Sequence, residues 1–156
     1  MKTAFVAVGA LCLALAPAAL AQTENKTECK ITLPQDLVWG EPTDIPAGAQ
    51  GTVIEGDPSK AEPFTVRLRI PNGYKIPPHT HPTTENVTVL KGTFLAGMGE
   101  QFNEASMKAF GRDAFASIPA NHAHYAMARG QTIVQVHAIG PFVLTYVNPA
   151  DDPTKR

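Results

Sequence analysis

Charge is what this chain has little of. Only 17% of its 156 residues are Asp, Glu, Lys or Arg, and the thirteen cations nearly cancel the fourteen acidic groups, leaving a formal charge of −1. A sequence pI near 6.5 gives no electrostatic footprint for nucleic acid or for an anionic membrane. Cysteine is scarce, with two in the whole chain, and aromatic residues amount to 7%. Outside the N-terminus no apolar run reaches the roughly 18 residues that a spanning helix requires. The sequence has no G-x-S-x-G elbow, no Gly-rich phosphate loop and no C-x-x-C pair, so those nucleophile, nucleotide and dithiol chemistries have no anchor here. Plentiful instead are 12 glycines and 14 prolines, too many for a helix bundle and natural for short strands joined by tight turns. Hydrophobic residues make up 44%, the composition of a globular chain rather than a disordered one.

The N-terminus reads as an address. Lys2 is a short positive region, Ala4 to Ala16 is apolar and uncharged, Pro17 breaks the run, and Ala19-Leu20-Ala21 places small residues before Gln22. That is the layout of a secretory signal peptide, so residues 1–21 are expected to be removed and the protein to be periplasmic or secreted, with no membrane association afterwards. Cleavage would remove Cys12 and leave Cys29 alone in a polar stretch, as an incidental or intermolecular thiol. An exported chain that cannot form an internal disulfide must rely on its core, helped by a metal or a partner subunit. Residues 22–35 form a polar lead-in, 36–148 one folded domain and 149–156 a polar tail. No internal repeat or low-complexity linker divides them.

Within the domain, Phe64, Val66, Leu68 and Ile70 alternate with Thr65, Arg67 and Arg69, which predicts a strand with one wet face. Further strands are expected at Thr52 to Glu55, Val87 to Lys91, Thr93 to Ala96, Ala114 to Ile118, His124 to Ala128, Thr132 to Ile139 and Phe142 to Val147. Gly56-Asp57-Pro58-Ser59, Asn72-Gly73 and Ala128-Arg129-Gly130-Gln131 read as turns, the last as a hairpin. Glu104 to Ala109 is the single helical candidate. Many short strands at regular spacing indicate an all-β antiparallel sandwich or barrel.

Four of the five histidines form two H-x-H pairs, His79/His81 and His122/His124. Residues i and i+2 of a strand share a face, so each pair can present two imidazoles toward one point. Glu85 shares that parity, although Pro82-Thr83-Thr84 bends the chain before it. Two imidazoles with a carboxylate give mixed nitrogen and oxygen ligation, suited to divalent first-row metals. Gly73, His79, His81, Glu85 and Gly92 fit G-x5-H-x-H-x3-E-x6-G at every specified position, which resembles the first motif of the cupin superfamily. The second cupin motif, G-x5-P-x-G-x2-H-x3-N, is met in part. Pro119 and His124 align, Asp113 and Asn121 stand where the two glycines belong, and Ala128 replaces the final Asn. Asn121 is a sensible substitute, since asparagine tolerates the left-handed conformation.

The resemblance spans roughly Asp36 to Asn148 and implies a small jelly-roll barrel of six to eight or so strands holding one metal at its mouth. It implies His79, His81, Glu85 and His124 as the ligands. Four protein ligands on an octahedral ion leave two cis positions for substrate, water or dioxygen, and the +1 charge that remains favours an anionic or enolate-like substrate. Glu85 is also assigned the transfer of a proton. Iron or manganese is favoured over nickel, cobalt, copper or zinc, because Glu85 is hard and thiolate is lacking. His122 is a candidate base or fifth ligand; the competing and preferred reading leaves it in the Pro119-Ala120-Asn121 turn, facing solvent. His137 shares a strand face with Ile133 and Gln135 and faces either the pocket or the exterior. Tyr125, Phe94, Phe102, Phe115 and Met127 are expected to pack in the core, and Arg67 and Arg69 to lie on a wet surface. One fold hosts many functions, so the implied reading is an exported, dioxygenase-like metalloenzyme acting on a small organic molecule. The alternatives are a non-catalytic metal- or ligand-binding protein and a metal-dependent isomerase or lyase. A homodimer is expected, since a small sandwich must protect its sheet edges.

Overall fold

A computed structural model describes residues 29–155 of the chain. The expected signal peptide lies outside the described residues. Every strand of the described residues falls in the unit that begins at Thr32.

The alternating stretch forms a strand with Pro63 at its start, as its period-two pattern requires. In chain order the strands are β1 (Gln50–Glu55), β2 (Pro63–Ile70), β3 (Lys75–Thr80), β4 (Glu85–Met98), β5 (Lys108–Phe110), β6 (Phe115–Ile118), β7 (His124–Ile139) and β8 (Thr145–Tyr146). All pairings among them are antiparallel. Two long strands, β4 and β7, run side by side through the molecule and change neighbours halfway. The first half of β4 pairs β6 and the second half of β7, which in turn pairs β2 and through it β1. The second half of β4 pairs β5 and the first half of β7, which pairs β3 and through it β8. Two half-sheets that share two bent strands make an antiparallel jelly roll, as the sequence led us to expect.

Several boundaries differ from the sequence reading. The two strands expected on either side of Gly92 are one strand, β4, whose register shifts between Val89 and Lys91 and between Lys91 and Thr93. Likewise the hairpin expected at residues 128–131 is instead the middle of β7. Gly130 and Gly92 both adopt positive φ, 74° and 77°, so these glycines bend continuous strands rather than end them. A glycine inside a strand signals either a bulge or a turn, and local sequence does not separate the two. The helical candidate is a single 3-10 turn, Glu104–Ser106, followed by β5. The final expected strand is only β8, because residues 141–144 leave the sheet to cover the barrel mouth.

The core lies between the half-sheets and includes Ile70, Ile76, Val87, Phe94, Val134 and Val136, each at most 7% exposed. Burying each of these side chains contributes about 1.5–3 kcal/mol. Tyr125 points away from His124 and packs, as expected, its ring filling the space over Gly97 and its hydroxyl donating to the Asn103 carbonyl at 3.2 Å. Met127 is also buried, but Phe115 is 57% exposed on the outer face and does not join the core. Arg67 and Arg69 sit on that outer side. Arg67 Nε donates to Gln135 at 3.0 Å, and the Arg69 guanidinium lies 4.1 Å from the Trp39 ring centre.

Candidate metal centre

Strand register brings the first pair of donors together. His79 of β3 stands directly opposite His124, the first residue of β7. His81 follows one step past the end of β3, where the Asn121 N–H donates to its carbonyl at 2.7 Å. Glu85 opens β4 after the bend at residues 82–84, which rotates the chain without losing the parity read from the sequence. Asn121 has φ 60° and Asp113 φ 67°, the two non-glycine residues with positive φ among the described residues. They are the two positions where the cupin motif has glycine. The backbone geometry of the motif is therefore kept although its glycines are replaced, at a strain of roughly 1–2 kcal/mol per site.

His79, His81 and His124 are 3–4% exposed, and one ring nitrogen from each lies within 4.8 Å of the other two. The orientation of each ring is held from behind by a backbone carbonyl. His79 Nδ1 is 2.7 Å from the Pro77 oxygen, His81 Nδ1 3.0 Å from that of Val143, and His124 Nδ1 2.9 Å from that of His122. A carbonyl only accepts, so all three Nδ1 atoms carry protons and the Nε2 atoms are left to face the shared point. Glu85 reaches the same point, with Oε2 3.1 Å from His124 Nε2 and 3.7 Å from His81 Nε2. Behind His81, the Phe142 ring stacks at 4.0 Å and an interplanar angle of 15°.

The electrostatics follow from this crowding. Burial, reinforced by the two neighbouring imidazoles, pushes His79 down to about 3. Burial also lowers His81, despite the pull of Glu85. For Glu85, burial acts upward but is outweighed by the hydrogen bond from His124 and the adjacent imidazoles, so its carboxyl lies below the usual range. For His124, burial acts downward but is outweighed by the Glu85 hydrogen bond and charge, so it is raised. One protonated imidazole, His124, paired with ionised Glu85, is what the cluster tolerates. His81 Nε2 is buried with no hydrogen-bond partner at all. An unsatisfied buried polar atom costs about 1–3 kcal/mol. A cation at the shared point would satisfy it, so the donor set and the orphaned nitrogen both fit a divalent metal.

Other residues singled out in the sequence fall elsewhere. His122 is exposed and contributes its carbonyl, not its imidazole. His137 is exposed on the outer face, 6.5 Å from Phe115, with Gln135 beside it bonded to Arg67. Sequence reading missed the carbonyls and Phe142 that orient the rings, for which no side-chain motif exists. It also missed the strap described next.

The imidazoles of His79 and His81 and the Glu85 carboxylate open into a cavity of about 660 Å3. Its barrel wall is apolar, formed by Phe64, Val66, Leu68, Ile76, Val136 and Phe142. Its other wall is a strap, residues 38–45, from the Pro-rich stretch before β1. Gly40 and Gly51 exchange two backbone hydrogen bonds of 2.9 and 2.7 Å, tying the strap to β1. The Tyr146 hydroxyl donates to the Asp44 carbonyl at 2.8 Å, and the Tyr74 hydroxyl donates to the Pro46 carbonyl.

Solved structures of low sequence identity share this jelly roll. No protein-family model and no curated protein sequence matches the chain. Among solved structures, the polyketide cyclase RemF from Streptomyces resistomycificus aligns with a TM-score of 0.65 and 18% identity, over 82% of this chain and 92% of that one. A putative acetylacetone dioxygenase from Methylibium petroleiphilum PM1 aligns at 0.63 and 17%, over 83% and 88%. An RmlC-like cupin from Shewanella frigidimarina aligns at 0.57 and 14%, over 72% and 91%. The chain therefore has the cupin fold, with a cluster of three buried histidines that could hold a metal ion.

Proposed function

We propose that this protein is an exported metalloenzyme, dioxygenase-like, that acts on a small organic molecule bound in the cavity beside one divalent ion. His79, His81, Glu85 and His124 are the ligands in this reading. The observation that carries it is the set of three Nδ1–H groups tied to backbone carbonyls. That arrangement aims the Nε2 atoms at one point before any ion arrives, and such preorganisation has no use in a merely buried histidine cluster. Bound there, the ion would polarise a chelating pair of oxygens and, as iron or manganese, support reaction with dioxygen.

The chain's own residues do the rest. Glu85 borders the cavity and offers an oxygen that can accept a proton from a bound molecule. The apolar walls exclude water and hold the substrate body, and Phe142 fixes His81 while forming part of that wall. His122 is left outside this scheme by its exposure, and we expect His122→Ala to change neither metal content nor turnover. The likeness in fold to the putative acetylacetone dioxygenase from Methylibium petroleiphilum supports the reading.

Elemental analysis of protein from its native compartment, followed by oxygen uptake with iron- or manganese-loaded protein against catechols, 1,3-diketones and flavonols, tests it. One equivalent of metal and uptake that requires a substrate is the expected result. Metal-free native protein, or tight binding without any turnover, would sink the enzyme reading in favour of a binding protein; turnover without oxygen uptake would mark an isomerase or lyase. Export and a homodimeric state belong to the same reading, to be checked by the N-terminal sequence of the mature protein and by light scattering.

A further inference from the structure

We infer that the cavity selects molecules that are neutral as they enter, with a hydrocarbon or aromatic body and one pair of adjacent oxygens, and that the strap residues Trp39, Glu41 and Asp44 set this selection. The oxygen pair rests on the metal-centre reading above; the selection by charge does not.

The volume lies within the range of about 300–1,000 Å3 typical of sites for small organic ligands. Among the described residues, no lysine or arginine lines this space. Its charged borders are Glu85 at the cluster and Glu41 and Asp44 on the strap. The nearby Arg69 guanidinium is engaged outside, over the Trp39 ring and on Gln50 at 3.2 Å. A molecule entering with a carboxylate or phosphate would leave water for an apolar space in which, short of an ion at the cluster itself, no lysine or arginine pairs with it, and would pass Glu41 and Asp44 on the strap. Unpaired charge in such surroundings is strongly disfavoured.

Asp44 is no distant bystander. Its carbonyl accepts a 2.8 Å hydrogen bond from the Tyr146 hydroxyl, which fixes the strap at this residue. An enolate-like ligand is still compatible with this entrance. A neutral 1,3-dicarbonyl passes the strap uncharged, since nothing along the apolar wall requires it to ionise before it reaches the cluster.

The test compares two probes of one skeleton, neutral 1-phenyl-1,3-butanedione and its para-carboxylate, titrated calorimetrically into full-length protein loaded with redox-silent zinc. Trp39 is the only tryptophan in the chain, so its fluorescence reports independently on occupancy of this cavity. We expect the neutral probe to bind at least tenfold more tightly. The double variant Glu41→Gln, Asp44→Asn should narrow that gap at least threefold with zinc stoichiometry unchanged. Equal or tighter binding of the carboxylate overturns the inference, as does a gap that the variant leaves intact. Should zinc fail to bind, the metal-centre reading falls. The same probe pair on metal-free protein then decides the selection by itself: a tenfold gap sustains it and equal affinity overturns it.

Discussion

At the residue scale the site is built from the back. Each histidine is oriented by a carbonyl two residues upstream or, for His81, by the distant Val143, and His81 is further held by the flat stack of Phe142. Removing groups that orient a ligand typically lowers metal affinity by about 10–100-fold. Phe142→Ala should therefore weaken metal binding by roughly tenfold, whereas Phe142→Leu, which keeps bulk against the ring, should recover most of it. Competition with a chromophoric chelator measures both. Protons compete for the same atoms. His79, at about 3, and His81 are depressed in the folded protein, so folding favours their neutral forms. Their contribution is complete above the unfolded value of about 6.5 and is lost as pH falls below it. Glu85, also depressed, adds its own loss below about 4.3, while raised His124 acts oppositely, losing its contribution only as pH climbs above about 6.5. Chelator-treated protein should thus lose a few kcal/mol of stability between about pH 6.5 and 3. Urea denaturation across that interval is the check, and a flat profile contradicts the assignment.

At the element scale, the two long strands and the strap decide the shape of the site. The strands reach both half-sheets because each bends at a glycine. A Cβ on Gly92 would lie 2.5 Å from the Gln131 carbonyl oxygen, and the residue's φ is 77°. Gly92→Ala should cost about 2 kcal/mol or more, read as a lower urea midpoint. Asn121 tolerates its left-handed backbone, so Asn121→Gly should be nearly neutral and Asn121→Val should cost about 1–2 kcal/mol. The strap depends on fewer bonds. Tyr146→Phe removes its hydroxyl bond to Asp44 and should loosen the strap by about 1 kcal/mol. Faster amide exchange at residues 40–46, with metal content unchanged, is the expected signature. Unchanged exchange would mean that Ile45, 5% exposed in the core, holds the strap without help.

For the whole molecule, a jelly roll without an internal disulfide carries a buried, partly unsatisfied donor cluster that a cation would complete. Metal bound to the folded state alone stabilises it by about 2.7 kcal/mol at a hundredfold excess over the dissociation constant. Melting temperature should therefore rise by several degrees on adding one equivalent of zinc or manganese and return on chelation. The triple variant of the three cluster histidines to alanine should show no such shift. A rise that persists in that variant would place the metal elsewhere.

Sequence alone determined the fold class, which rests on local periodicity, and a set of candidate donors, which rests on the H-x-H spacing and the resemblance to the cupin motifs. Alternation marked β2, glycine and proline marked the turns, and the two H-x-H pairs with Glu85 named the candidate donors, His122 among them although it stays outside the cluster. Which glycines bend a strand and which end one was decided by tertiary pairing, because an isolated segment around Gly92 or Gly130 satisfies either geometry. The placement of His122 and His137 outside the cluster, the carbonyls that orient the rings, and the strap over the cavity were likewise tertiary outcomes. Each depends on contacts between residues far apart in the chain, such as the 62 positions separating His81 from Val143, and no local pattern encodes them.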